Sequence, residues 1–217
     1  MAEALWSDVD RYLTDLLVPA DEAFDAALAD SDAAGLPQIA VAPNQGKLLY
    51  LLALACQARR ILEVGTLAGY STIWLARALP PGGTLVTLEA QPAHAEVART
   101  NLDRAGVGDL VDVRVGPALE TLPSLSAPFD LVFIDADKEN NADYFSWAVR
   151  LSRPGTLIIV DNVVRGGSII ESGSDDPRVL GTKRLLDALA ADSRTVATAI
   201  QTVGSKGHDG LAIALVR

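Results

Sequence analysis

The chain carries one cysteine in 217 residues, so no intrachain disulfide can form. That usage fits a reducing cytosol and a cytoplasmic protein. Cys56 lies in an apolar run and reads as a buried small hydrophobe rather than a nucleophile. Histidine is nearly as scarce, with His94 in a polar helix and His208 in the last turn. Neither has zinc-type spacing to a second His or Cys, and both read as structural or solvated. No G-x-S-x-G elbow is present, which argues against a Ser-His-Asp hydrolase. Positive charge is also short. Lys and Arg total 18 against 28 Asp and Glu, a net charge of −10. Such a balance argues against a nucleic-acid surface, which needs cations to neutralise phosphates, and against an anionic membrane surface. No apolar run reaches the roughly 18 residues of a membrane span. The opening Met-Ala-Glu-Ala has no positive stretch followed by an apolar core, so no signal peptide is expected.

What is present reads as one α/β domain. Hydrophobic residues make up 49% of the chain, enough for a sizeable core in a single unit spanning 1–217. Leu5, Val9, Leu13, Leu16 and Leu17, with Trp6 and Tyr12, recur at helical spacing over 3–18, and Pro19 ends that helix. Asp21 caps a second helix over about 22–33, and a third begins at Pro43 and is nearly all apolar. These helices, most of them in an N-terminal extension over 1–42, precede any strand. They fit a cover for one end of a sheet, a dimer surface, or a roof over an active site. From Arg60 onward strands and helices alternate. Strands are expected at 61–64, 84–88, 110–115, 131–134 and 155–160. Helices are expected at 70–79, 92–105, 118–122, between Glu139 and Leu151, and from about 177 to 192. Such alternation implies a doubly wound, Rossmann-like, mostly parallel sheet. Two last strands, 195–201 and 211–216, are joined by a link too short for a helical crossover, so they must be antiparallel. Val163 to Pro177, with Gly166, Gly167 and Gly173, reads as a mobile loop, either a substrate cover or a plain connector.

The stretch from Phe129 to Lys138 organises the rest. Leu131 to Ile134 reads as a strand buried on both faces, and it runs into Asp135, Asp137 and Lys138. The strand at 155–160 likewise ends in Asp161-Asn162. If the two strands are neighbours, about 4.8 Å apart, Asp135, Asp161 and Asn162 meet at one point. Three side-chain oxygens with no His or Cys suit a hard cation such as Mg²⁺. The plainer alternative makes the aspartates turn residues or helix caps. Earlier in the chain, Glu63-Val-Gly65-Thr66-Leu-Ala-Gly69-Tyr70-Ser71 forms a glycine-containing turn from strand to helix, where a ligand can approach the backbone and an anion can meet the helix start. The next strand ends in Glu89, placed to hold a ribose diol. A nucleotide-type ligand is therefore expected, although the G-x-G-x-x-G fingerprint of NAD enzymes is not met.

Taken in order, Glu-Val-Gly-Thr-Leu-Ala-Gly-Tyr-Ser, Phe-Ile-Asp-Ala-Asp-Lys and the later Asp-Asn resemble the cation-dependent O-methyltransferases, the caffeoyl-CoA and catechol O-methyltransferase group and its bacterial relatives. The resemblance runs from about Val41 to the final Asp-Gly-Leu-Ala-Ile-Ala. It implies a seven-stranded sheet with an antiparallel last strand. It also implies S-adenosylmethionine as methyl donor, Mg²⁺ or a similar ion such as Ca²⁺ or Mn²⁺, a catechol-type vicinal diol as acceptor, and a homodimer. Carried over residue by residue, it gives Asp135, Asp161 and Asn162 to the metal and makes Lys138 the general base. The alternative for Lys138 is a solvated lysine, or one paired with Asp135 or Asp137. The family contacts S-adenosylmethionine at the positions of Val41, Glu63, Gly65, Thr66, Ser71, Glu89, Ala118, Asp135 and Asp137. Glu63 and Asp137 would serve the ammonium, Ser71 the carboxylate, Glu89 the ribose, and the backbone near Ala118 the adenine. One departure stands out. Plant caffeoyl-CoA enzymes have Trp-Asn three residues after Asp-Asn, where this chain has Arg165-Gly166, so the plant substrate does not transfer. Two other readings are a non-catalytic S-adenosylmethionine-binding protein and an NAD-type oxidoreductase.

Overall fold

The computed structural model describes residues 2–126 and 128–217. Three helices come first, α1 (Ala2–Leu17), α2 (Glu22–Ala33) and α3 (Pro43–Ala55). Then β1 (Arg60–Val64), α4 (Tyr70–Arg77), β2 (Thr84–Glu89), α5 (Pro92–Arg104), β3 (Val111–Val115), α6 (Ala118–Thr121) and β4 (Phe129–Ile134) alternate. They are followed by α7 (Asn141–Arg150), β5 (Ser152–Asp161), α8 (Pro177–Ala191), β6 (Thr195–Gly204) and β7 (Gly207–Val216). The seven strands form one sheet in the order β3-β2-β1-β4-β5-β7-β6. Strands β1 to β5 pair in parallel, and β7 runs antiparallel to both β5 and β6. This is the expected doubly wound sheet. Its order reverses between β1 and β4, so the carboxyl ends of those two strands flank the crevice where such sheets bind ligands.

The strand residues sort onto two faces with period two. Ile61, Leu131, Phe133 and Ile159 pack with buried residues of α2, α3 and α4, including Phe24, Leu49 and Trp74. Leu62, Val64, Val132, Ile134, Ile158 and Val160 pack against α7 and α8 through Tyr144, Phe145 and Leu185. Both faces are covered, which is why β4 is apolar at nearly every position.

The last three strands run longer than the hydrophobic pattern predicts. β5 begins at Ser152, and its pairing with β4 jumps from Phe129↔Ser152 to Leu131↔Leu157. Pro154 cannot donate to a ladder, and the bulge carries the extra residues outward. The hairpin of β6 and β7 is paired up to Gly204↔Gly207, leaving Ser205 and Lys206 as its turn, where the hydrophobic pattern stops the strands at 201 and 211. β6 is exposed along almost its whole length. A solvated ladder needs no apolar alternation, so the pattern stops before the pairing does. The Val163–Pro177 stretch contains a 3-10 segment, Arg165–Ile170. Cys56 is only half-buried, since it caps the end of α3 rather than lying within the core.

The first helix does not roof the sheet. It is tied to the hairpin turn by Asp10, whose Oδ2 accepts from Ser205 N at 2.7 Å. Its Leu5, Tyr12, Leu16 and Leu17 are more than 60% exposed, an apolar stripe without a cover.

Candidate functional site

A cavity of about 910 Å³ opens at the carboxyl ends of β1, β2, β4 and β5. Of the residues expected in the site, Val41, Gly65, Thr66, Ser71, Glu89, Ala118, Asp135, Asp137, Lys138, Asp161 and Asn162 all line it. Glu63 does not.

The β1–α4 turn forms one wall. Gly65 has φ +100°, and a Cβ there would collide with the carbonyl oxygen of Asp135, so only glycine lets this turn lie against the end of β4. Glu89 fastens the turn from the neighbouring strand. Its Oε2 accepts from Thr66 N at 3.2 Å and Leu67 N at 2.8 Å, and its Oε1 accepts from Gln91 N at 2.9 Å. Oε1 keeps acceptor capacity on its second lone pair. His94 Nδ1 stands 3.4 Å from that same oxygen. His94, expected to be structural or solvated, sits in the first turn of α5, directly after β2, and lines the cavity.

Glu63 lies behind this wall and is fully buried. Ser71 Oγ donates to its Oε1 at 2.7 Å, and Thr72 and Thr87 hydroxyls donate to its Oε2 at 2.5 and 2.7 Å. The Thr66 and Thr87 hydroxyls, 2.6 Å apart, extend this network to the glycine turn. Burial pushes the Glu63 carboxyl up to about 7, against the three hydroxyls that favour its charged form. In this geometry Glu63 sets Ser71 and the turn rather than touching the cavity.

The acidic wall comes from β4 and β5. Lys138 is buried, with its Nζ 2.7 Å from Asp135 Oδ1. Asp161 is 4% exposed; its Oδ1 accepts from Asn162 N at 2.7 Å and its Oδ2 from Gln45 Nε2 at 2.5 Å. Burial and the neighbouring Asp135 carboxylate push the Asp161 carboxyl up to about 7, while Lys138 pulls the other way. Asn162 holds a left-handed φ of +60°, an unusual conformation at a strand end. Gln45 is a site residue that the sequence reading lacks, although two amides, Asn44 and Gln45, in the first turn of a mostly apolar helix are the available signal. Asp137, just beyond, accepts from Asn140 Nδ2 and from Tyr144 Oη, each at 2.5 Å. Burial and Asp137 together raise the Tyr144 hydroxyl well above its ordinary value.

Among the described residues no three His, Cys, Asp or Glu side chains cluster as a metal site. The expected set is instead two carboxylates and an amide. A buried carboxyl driven up by a second carboxylate is a donor pair that a hard divalent cation would complete, so the residues fit such an ion. The lysine end of the fold is fixed from behind: a Cβ on Gly181 of α8 would strike the backbone carbonyl of Lys138.

No helix among the described residues is long and apolar enough to cross a membrane. Residues 24–215 match the O-methyltransferase family. The chain is 62% identical, over 97% of its length and 96% of the relative's, to a catechol O-methyltransferase of Mycobacterium tuberculosis. It is 51% identical to a catechol O-methyltransferase of Niastella koreensis over the full length of both. The crystal structure of the O-methyltransferase from Bacillus cereus in complex with SAH superposes with a TM-score of 0.97, at 53% identity and 99% coverage of each chain. The family match over residues 24–215 and the 62% identity along nearly the whole chain exclude the NAD-type reading: the chain belongs to the O-methyltransferase family.

Proposed function

We propose that this protein transfers a methyl group from S-adenosylmethionine to one hydroxyl of a catechol-type vicinal diol, with a divalent cation, Mg²⁺ or a similar ion such as Ca²⁺ or Mn²⁺. The observation that carries the reading is the single cavity joining the Gly65–Ser71 turn to the Asp135–Lys138–Asp161 cluster. The SAH in the Bacillus cereus relative, which is S-adenosylmethionine after loss of its methyl, supports the donor. The catechol names of the two relatives support the acceptor.

In this reading the donor's amino-acid end meets Asp137 and the start of α4, where Ser71 and free backbone N–H groups favour a carboxylate. Glu89 Oε1 takes a ribose hydroxyl, with His94 beside it, and the backbone near Ala118 faces the adenine. Val41 packs from the other side. Glu63 acts through Ser71. Asp135, Asp161 and Asn162 would hold the cation, which when bound supplies Lewis acidity that lowers a hydroxyl pKa. Gln45 holds Asp161 in place. Lys138, released from its pair with Asp135, is the base that accepts the hydroxyl proton. A C–O bond then forms as the S–CH₃ bond breaks, turning a sulfonium and an oxyanion into two neutral species. The protein's share is mainly positioning, worth up to about 7–11 kcal/mol in well-oriented cases. Residues 1–217 act as one unit, and the exposed stripe of α1 together with Val196, Ile200 and Val203 of β6 forms the homodimer face. Sedimentation of a species of twice 22.8 kDa supports that assembly, and a monomer at micromolar concentration rejects it.

Methyl transfer to a panel of catechols, run with Mg²⁺, with chelator and with Mg²⁺ restored, tests the chemistry. Product should vanish with chelator and return with metal. Persistence in chelator would remove the cation from the mechanism. Binding of S-adenosylmethionine without any product would favour a non-catalytic binder.

A further inference from the structure

Four cations line the cavity: Lys138, Arg165, Arg178 and Lys206. Two are neutralised within the chain. Lys138 pairs with Asp135, and Arg178 is gripped by Asp176 at 2.7 and 3.0 Å. Arg165 and Lys206 form no ion pair among the described residues. Lys206 Nζ has only the Gln38 carbonyl, at 3.5 Å. Arg165 Nε is buried and has no hydrogen-bond partner. The only hydrogen bond that Arg165 donates among the described residues is through its backbone N–H, so the guanidinium reaches the cavity wall with no partner of its own.

The main chain is shaped to present this side chain. Arg165 has φ +56°, a left-handed conformation uncommon for a residue with a Cβ. Asp209 of β7 holds it there, its Oδ1 accepting from Val164 N and Arg165 N, each at 3.0 Å. Strain held by a dedicated partner is characteristic of a functional position. Lys206 is placed by the hairpin turn that Asp10 anchors. Ile39, 69% exposed, adds an apolar surface on the same cavity. In a chain of net charge −10, two uncompensated cations on one cavity wall are not an average surface.

We propose that the acceptor is a catechol bearing a carboxylate, and that Arg165, assisted by Lys206, is the specificity-determining group that receives it. This rests on the methyltransferase reading above. A guanidinium offers a planar fork that matches a carboxylate, so the acid gives Arg165 the anionic partner it lacks within the described residues, where a neutral catechol does not.

The test compares 3,4-dihydroxybenzoate with its neutral isostere 3,4-dihydroxybenzamide. Two quantities are measured: kcat/KM with S-adenosylmethionine and Mg²⁺, and affinity by calorimetry with S-adenosylhomocysteine and Mg²⁺ present. The native protein should favour the acid by roughly 10- to 100-fold. Arg165→Gln should bring the acid-to-amide ratio close to one, and Arg165→Lys should restore part of it. Equal use of both compounds by the native protein, or a ratio that Arg165→Gln leaves unchanged, overturns the proposal. If neither compound is methylated but the acid still binds selectively through Arg165, the anion site stands and the methyltransferase reading fails. If neither compound is methylated or bound, both fall.

Discussion

Asp130 and Asp161 stand at opposite ends of the β4–β5 pair, both largely buried, and their surroundings are opposite. Asp130 Oδ2 accepts from the backbone of Arg59 and Arg60, each at 2.9 Å, and Oδ1 accepts from Arg153 Nε and Nη2 at 3.0 and 2.6 Å. Burial works against its charge, but these donors win and hold the carboxyl below its ordinary value. Asp161 has two donors and a second carboxylate for a neighbour, and it is pushed up. The same residue type is finished at one end of the sheet and incomplete at the other. A saturated carboxylate is structural, whereas one held in place with its charge unanswered is waiting for a ligand.

Exchanging these residues for alanine should break the pair apart most sharply. Asp161→Ala should lower kcat/KM by at least about 10³-fold, the order expected when several kcal/mol of cation-derived stabilisation is lost, while S-adenosylmethionine affinity measured by calorimetry changes little. Equal loss of donor binding would deny Asp161 a metal role. Asp130→Ala should spare the donor site yet cost about 1–3 kcal/mol of stability, visible as a melting temperature several degrees lower, because it strands two backbone donors and a guanidinium.

Lys138 sharpens the contrast at the top of the sheet. Lys138→Ala should lower kcat by about 10²-fold, and Lys138→Arg should not recover it, since arginine keeps the charge but cannot accept the proton. Full recovery in the arginine variant would reduce Lys138 to an electrostatic partner of Asp135.

The smallest effect concerns pH, and the two ends of the sheet should differ in sign. Glu63, raised from 4.5 to about 7, stays protonated in the folded protein where the unfolded chain has ionised. Its contribution to stability is therefore full below pH 4.5 and is lost as pH rises through 7. Asp130, depressed, contributes stability that is present above the ordinary aspartate range and lost as pH falls through its folded value. In melting curves of the metal-free protein, Glu63→Gln should flatten the decline toward pH 8, and Asp130→Ala should flatten the acid limb. If Glu63→Gln left the alkaline slope intact, the Glu63 carboxyl would not be the proton carrier.

Much of this architecture could be read from the chain because parallel strands buried on both faces are near-continuous apolar runs. Leu131–Ile134 and Leu157–Val160 announce themselves and hand over directly to Asp135 and Asp161. The glycine turn was legible for a similar reason, since Gly65 and Gly69 interrupt an apolar segment where a strand meets a helix. What stayed hidden depends on contacts distant in sequence. Gln45 and Asp161 are separated by 116 positions. Glu63 was legible as a site acid but not as one sealed behind Ser71, because which side of a wall a carboxylate faces is decided by Thr72 and Thr87 together. The apolar stripe of α1 was visible as a periodicity, but a helix facing solvent and a helix facing the core share that pattern until the neighbours are known.

Gly65 and Asp135 meet main chain to main chain, since even a methyl group at residue 65 would strike the Asp135 carbonyl. The glycine turn and the acidic cluster are therefore spaced by direct backbone contact, with no side chain between them whose rotamers could drift. Tolerances in this reaction are narrow, because about 1 Å of misplacement can cost on the order of 10²-fold in rate. Substitutions on the outer helices can then alter how firmly the barrel of the instrument is mounted, but its focal length is set by the backbone.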